Sequence, residues 1–349
     1  MRPERVRHDP ATAPDDRAGQ SALLSPDDVR YIVSVAGRAP SIHNTQPWIL
    51  RSDGDVIEVL GDYSRLLRHV DPDGRELVIS CGAALFGLRL ALRKLGFWPA
   101  ISILPEAAQP ALLARARPGA RMPWTAGEAE LLAAVPHRHT HRGPFVPGEV
   151  PDRLLPVLAA EVTAEQSELV WVTDGALRAG LHDLVSRAAA EQQADRGIQA
   201  ETQRWIVPAG SGRREGVPAS ACHPPGDASH AAAADSSALA EPQRRFSIAA
   251  GQDPTLPVAV LVTGGDEPAD WLAAGQALHR VLLRAATRWV FASLQSQPLE
   301  SPWHRSAVRQ LLGLRGQPQM LLQFGRSNTA LATPRRRYED VLRTAGARA

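Results

Sequence analysis

The sequence predicts an α+β protein made of two related halves in one chain, each around a buried central helix. Three observations carry this expectation. Gly82–Leu95 (GAALFGLRLALRKL) and Gly275–Trp289 (GQALHRVLLRAATRW) are helical patterns that stay apolar around most of their circumference, as buried helices do. Both open with Gly-x-Ala-Leu. Around them lie short β-type runs at Trp48–Leu50, Val56–Leu60, Ser102–Leu104, Glu168–Thr173, Val258–Thr263 and Met320–Phe324.

Matching the two helices gives an N-terminal half at 23–125 and a C-terminal half at 130–349, after a flexible N-terminus at 1–22. Each half has a leading helix, strands, a buried helix and a closing strand. The matched identities are few, so chance similarity is the competing reading. If the duplication is real, one chain forms an internal pseudo-dimer and the cleft between its halves is the expected site. A monomer is then expected, with a homodimer as the alternative.

Leu24–Val35 (LSPDDVRYIVSV) reads as a helix, with Ser25 as N-cap, Pro26 at its first position and acidic residues in the first turn. Pro40 stops it, because the residue before a proline is pushed toward extended backbone. The stretch that follows, RAPSIHNTQPW (Arg38–Trp48), sets Ser41, His43, Asn44, Thr45 and Gln46 between two prolines. So many donors and acceptors on a short loop make a wall suited to a flat, polar ligand. Residues 107–124 read as a poorly ordered Ala/Pro/Arg connector. Residues 208–243 have the composition of a mobile insertion or an active-site lid.

Composition narrows the function classes. A formal charge of +2 is too small to make nucleic acid or an anionic membrane the main partner. No apolar run reaches the roughly 18–20 residues of a membrane helix. The N-terminus shows no apolar signal-peptide core, so a cytoplasmic location is expected. Two cysteines suggest neither a disulfide framework nor a thiolate metal site.

The C-terminal half opens with a second polar cluster, HRHTHRGPF (His137–Phe145). In an extended segment alternate residues share a face. One face would carry His137, His139 and His141, a set that could bind zinc but lacks an obvious fourth ligand. The other carries Arg138, Thr140 and Arg142, two guanidinium forks around a hydroxyl, which suits a phosphate. A solvated basic strip is the plainer reading. Arg335-Arg336-Arg337 would complete such a clamp or form an exposed tail.

Together these motifs resemble the flavin-dependent nitroreductase superfamily, most closely its long, single-chain, Acg-like branch. The resemblance runs from about residue 25 to 343, apart from the insertion. The family's flavin loop, Pro-Ser-x-x-Asn-x-Gln-Pro-Trp, stands complete at Pro40–Trp48, and its Arg-x-Ser-x-Arg motif appears as Arg138-x-Thr140-x-Arg142. Segments around Asp73–Leu77, Ser80–Ala84, Gln317–Gln319 and Thr333–Arg336 follow in the same order. The flavin loop lies in one half and the phosphate motif in the other, so the resemblance implies one complete FMN site per chain and one degenerate counterpart. It assigns the phosphate to Arg138, Thr140 and Arg142, with Arg335 and Arg337. Pro40, Ser41 and Asn44 would line the flavin, with Gln46 nearby, and Gln297 to Glu300 would face its reactive edge. Arg244 and Arg245 would place charge near the pyrimidine end, or else are solvated.

The implied activity is NAD(P)H-dependent reduction, with NADH or NADPH as reductant, of a small-molecule electron acceptor such as a quinone or nitroaromatic. The chemistry would be borne by the flavin, with no catalytic side chain and no metal. The alternative is an FMN-sequestering protein whose insertion, flanked by Trp205 and Phe246, covers the flavin.

Overall fold

Ser25 opens the first helix by the chemistry its position suggests. Its hydroxyl accepts from the Asp28 amide, the Asp28 carboxylate accepts from the Ser25 amide, and Pro26 fills the first turn. The resulting α1 (Pro26–Ala36) turns Val29, Ile32 and Val33 inward. The computed structural model describes residues 23–142, 145–208, 210–219, 256–328 and 333–344. The N-terminal stretch 1–22 lies outside the described residues.

A hairpin of β1 (Trp48–Asp53) and β2 (Val56–Gly61) follows. Next comes α2 (Arg75–Lys94), buried from Arg75 to Arg93 with few breaks. It begins upstream of Gly82, so the apolar pattern marks only its later turns. Then come β3 (Phe97–Ile103) and β4 (Leu112–Arg121). The supposed connector at 107–124 thus contains a strand, paired with β2 on one side and β3 on the other. Ala114 and Ala116 face the core while Arg115 and Arg117 face away. The alternation has period 2, but small alanines make it quiet, and Pro118 further disguises it.

The C-terminal half continues with α3 (Ala126–Ala134), α4 (Leu154–Thr163), β5 (Glu168–Trp171), α5 (Gly175–Ala194) and α6 (Arg196–Arg204). A short parallel pair, β6 (Ile206–Val207) and β7 (Val217–Pro218), brackets the start of the insertion. Then come β8 (Val258–Thr263), α7 (Pro268–Ala286), β9 (Val290–Gln295), the one-turn α8 (Gln297–Glu300), α9 (Pro302–Leu311) and β10 (Gln317–Arg326). The chain finishes its described course with α10 (Tyr338–Val341) and β11 (Leu342–Thr344). The second buried helix ends at Ala286, not Trp289. Trp289 takes a left-handed backbone (φ 54°) and β9 starts directly after it.

Two principal sheets result. One has the order β11-β1-β2-β4-β3, the other β5-β8-β10-β9 with every neighbouring pair antiparallel. β11 runs parallel to β1, with Leu342 opposite Leu50. Residues 342–344, late in the chain, therefore complete the sheet of the early half.

Between the sheets, α2 and α7 cross at the two glycines of the repeated Gly-x-Ala-Leu. A Cβ on Gly82 would run into the Leu272 carbonyl, and one on Gly275 into the Ile79 carbonyl. Each glycine therefore lets the other helix's backbone approach. Phe86 and His279, each four residues past its glycine, meet edge to face with ring centroids 5.7 Å apart. Among the described residues no helix is long and apolar enough to cross a membrane.

Candidate functional site

The loop after α1 is strained and held from several sides. His43, Asn44 and Gln46 all have left-handed backbones, with φ of 44°, 55° and 50°. Such conformations cost about 1–3 kcal/mol each and persist only where the surroundings dictate them. Here the Ser41 hydroxyl accepts from the Gln46 amide at 3.0 Å, and the Ser80 hydroxyl of α2 accepts from the Ile42 amide at 3.2 Å. Pro40, Ser41, Ile42 and His43 then face a pocket of about 1170 Å³, its open mouth included.

The opposite wall comes from the second cluster. His137 and Arg138 still belong to the closing turn of α3, since both amides donate to the Ala134 carbonyl. Only then does the chain straighten, with Thr140 bridged to Ala292 of β9 and the His141 amide donating to the Ala292 carbonyl at 2.9 Å. The expected sharing of one face by Arg138, Thr140 and Arg142 is therefore broken. Thr140, His141 and Arg142 line the pocket, while Arg138 lies in an adjoining recess. The histidines are dispersed on aromatic rings: His137 stacks on Trp289, His139 packs on Phe291, and His141 stacks on Phe145. Among the described residues no group of three metal-binding side chains is gathered.

The recess, about 300 Å³ with its opening to solvent included, is lined by Arg38, Arg138, Arg335, Thr333, His137 and His139 among others, and none of its described lining residues is acidic. Arg138 is 6% exposed. Burial, with the charges of Arg142 and Arg38, pushes its pKa down to about 10. Arg335 is lowered by burial and by Arg138, Arg38 and Arg142. Arg138 donates through Nη2 to the Arg38 carbonyl at 3.3 Å, yet its Nε and Nη1, like Arg335 Nε, are buried without a partner among the described residues. Buried cations without a counter-charge are costly unless an anion joins them. The donor set fits a phosphate.

Asn44 and Gln46 do not line the pocket. Asn44 Nδ2 donates to the carbonyls of Gly216 and Pro334 at 2.9 and 3.0 Å, and its Oδ1 accepts from Arg335 at 2.9 Å. Gln46 donates to the Arg214 carbonyl at 2.8 Å and accepts from the Arg336 amide at 2.8 Å. Both amides clip the start of the insertion and the C-terminal segment onto the loop. Arg65 adds an ion pair to Glu215 at 2.6 Å. The arginine triplet fans apart. Arg335 enters the recess, Arg336 binds the Gln46 carbonyl, and Arg337 is exposed at the start of α10, its amide donating to Asp340. Arg337 therefore does not join the clamp.

Gln297 and Glu300 of α8 do line the pocket, as do Glu76, Ile79 and Ser80 of α2, Leu278 of α7 and Met320 of β10. A further wall comes from Gln192 and Gln193 of α5 and Ile198 and Thr202 of α6, with Val217 from the insertion. Burial pushes His43 down to about 4, helped by the Arg142 charge, so its imidazole is neutral near pH 7. Of the insertion at 208–243, residues 210–219 hold this docked flap, while 220–243 lie outside the described residues, as do Arg244, Arg245 and Phe246. Trp205 caps α6, and its carbonyl accepts from the Val217 amide at 2.7 Å.

No family model matches the chain. A Mycobacterium tuberculosis protein named "Putative NAD(P)H nitroreductase" is 33% identical over 348 residues, covering 95% of this chain and 96% of its own. The chain belongs to the nitroreductase family. A second nitroreductase relative from that organism, named "Putative NAD(P)H nitroreductase acg", is 27% identical over 324 residues, 91% of this chain and 96% of its own. Among solved structures, a nitroreductase with bound FMN from Desulfitobacterium hafniense aligns with 59% of this chain and 92% of its own, at 13% identity and a TM-score of 0.38. One with bound FMN from Bacteroides fragilis aligns with 63% of this chain and 97% of its own, at 13% identity and a TM-score of 0.35.

Three contributors to the pocket and its recess are not among the residues that sequence reasoning singles out. Arg38 stands two residues before Pro40, and its charge at the head of the polar loop is a usable signal. Glu76 begins a buried helix, where an acidic residue reads as ordinary first-turn preference. The α5–α6 wall has no motif at all.

Proposed function

We propose that this chain is an FMN-binding, NAD(P)H-dependent oxidoreductase acting on quinones, nitroaromatics or similar flat acceptors. The observation that carries the reading is buried Arg138 beside half-buried Arg335, both with a buried, unpartnered guanidinium nitrogen and short of counter-charge, next to a pocket large enough for a planar ring system. Arg138 and Arg335 would hold the phosphate, with Arg38 and Thr333 around it. Arg142 lines the larger pocket, so its charge would meet the ring system more directly than the phosphate. Pro40 and Ser41 would form one wall, with Thr140 opposite. Ile79, Leu278 and Met320 supply apolar surface suited to a flat ring. FMN, when bound, supplies the electron-transfer chemistry. The chain positions it, sets the charge around it and limits access of water.

Both walls come from one chain, which supports a monomer. Sedimentation of the purified protein tests that assignment.

A second reading is favoured by one specific observation. The flap Arg214–Val217 is fastened by Asn44 and Gln46, and Val217 lines the pocket. Fastened there, it would leave little room for a nicotinamide, and the protein would store FMN with little turnover. Anaerobic mixing with NADH or NADPH separates the two readings. Bleaching of the flavin band within seconds is the expected result. A band that only dithionite bleaches would favour storage.

A further inference from the structure

The arginine recess and the flap share one side chain. Asn44 is 4% exposed, and each polar atom of its side chain is engaged. Its Oδ1 accepts from Arg335 Nη1 at 2.9 Å, and its Nδ2 gives its two protons to the carbonyls of Gly216, at 2.9 Å, and Pro334, at 3.0 Å. The Gly216 amide donates back to the Asn44 carbonyl at 3.1 Å. The side-chain amide therefore has one orientation, oxygen toward the cation and nitrogen toward the flap. Arg335 is held less firmly. Its Nη1 offers two protons to four acceptors, which are Asn44 Oδ1, the carbonyls of Thr333 and Pro334, and the Thr333 hydroxyl. Its Nη2 reaches the carbonyls of Arg38 and Ala39 at 3.4 and 3.3 Å, and its buried Nε has no partner among the described residues. These partners are neutral, whereas the charges of Arg38, Arg138 and Arg142 repel it.

We infer that a phosphate held in the recess fastens the flap, with Asn44 as the positioning residue that carries the effect from Arg335 to Gly216. The pocket is then covered more firmly over a phosphorylated ligand than over the same ligand without its phosphate. An anion among the arginines offsets their mutual repulsion and holds the Arg335 fork against Asn44. Without it Arg335 can withdraw, and Asn44 loses the contact that sets its orientation. The flap feels that loss because little else holds it. β6 and β7 are two residues each, so Arg214–Val217 stays in place through Asn44, Gln46, the Arg65–Glu215 ion pair and the buried Val217 side chain. The linkage is reciprocal: a phosphate that steadies the flap is itself bound more tightly when the flap is down. FMN as the ligand rests on the function proposed above; the path from Arg335 to the flap does not.

The test follows amide hydrogen exchange over residues 210–219, where the Gly216 and Val217 amides are bonded to the carbonyls of Asn44 and Trp205. The purified protein is compared when saturated with FMN, when saturated with riboflavin and, stripped of flavin, with and without inorganic phosphate. FMN should slow the exchange roughly tenfold relative to riboflavin, within the usual range for coupled sites. Phosphate alone should slow it in the stripped protein. In Asn44→Ala, saturating FMN and riboflavin should give the same exchange. Arg335→Ala should also level them, which gives a second variant if the first folds poorly. An Asn44 that merely held the loop together would, once replaced, speed exchange equally with either ligand and leave their difference standing. That result, or equal exchange in the unaltered protein with both ligands bound, overturns the inference. Protection by phosphate in a protein that does not retain FMN would sink the proposed function and leave the link standing. FMN bound tightly through Arg138, with no effect on the flap, would do the reverse.

Discussion

Two arginine clusters flank the crossed central helices, and they differ in who supplies the negative charge. In one, Arg89, Arg280 and Arg284 meet Glu130, Glu161 and Glu165 at 2.5–2.9 Å, and Arg89 and Arg280 lie over the Phe86 ring. In the other, Arg38, Arg138 and Arg335 gather with no acidic residue in the described lining, beside His279, whose pKa burial and the Arg138 charge lower to about 3. The protonation of the two sets responds accordingly. Burial pulls Arg280 down, but its bonds to Glu161 and Glu165 raise it overall, whereas Arg138 and Arg335 are depressed with no such compensation. The same residue type is thus paired where the chain provides the anion and left short of counter-charge where it does not.

Breaking the paired cluster should have the largest effect on stability. Arg280→Ala takes one of two arginine partners from each of Glu161 and Glu165, leaving Arg284 and Arg89, and should destabilise the protein by about 2 kcal/mol. Urea unfolding monitored by tryptophan fluorescence measures it. The open cluster should behave the other way. Arg138→Ala removes an uncompensated buried charge, so the flavin-free protein should keep its unfolding midpoint or gain slightly. The same variant should lose roughly 2–3 kcal/mol of FMN affinity, about 30–150-fold, by fluorescence titration. A large loss of stability without loss of FMN affinity would erase the contrast between the clusters.

Smaller changes sharpen it. Arg138→Lys keeps the charge but not the fork, and should cost about 1–1.5 kcal/mol of FMN affinity in the same titration. Asn44→Ala touches the flap and the recess together, because its amide binds Gly216, Pro334 and Arg335. Losing those bonds should cost about 1 kcal/mol in stability. It should also speed proteolysis near Arg214, read by limited digestion.

Much of this contrast is legible in the amino-acid order alone. Ser25, Pro26 and Asp28 announce α1 because capping is local chemistry. The repeated Gly-x-Ala-Leu marks the helix crossing because close backbone approach demands glycine on both sides. The loop at Pro40–Trp48 and the arginines at 138 and 142 are visible as dense polar clusters. What stays hidden is set by distance along the chain. Asn44 reads as a ligand-facing amide, yet its partners lie 172 and 290 residues away. The expected Arg138/Thr140/Arg142 face fails because the turn that closes α3 carries the chain through His137 and Arg138, and the chain straightens only at Thr140. β4 hides behind alanines, whose small side chains fill a core without advertising it. Arg335 and Arg337 look equivalent in sequence; only the direction of the chain into α10 sends one inward and leaves the other in solvent.

The most direct measurement compares FMN with riboflavin on the flavin-stripped protein. The two ligands share the ring and the ribityl chain and differ only in the phosphate, so their affinity ratio isolates the arginine recess. FMN should bind at least about 100-fold more tightly, and Arg138→Ala should bring most of that ratio down. Equal affinity for both, before any residue is changed, would mean that no phosphate sits among Arg38, Arg138 and Arg335.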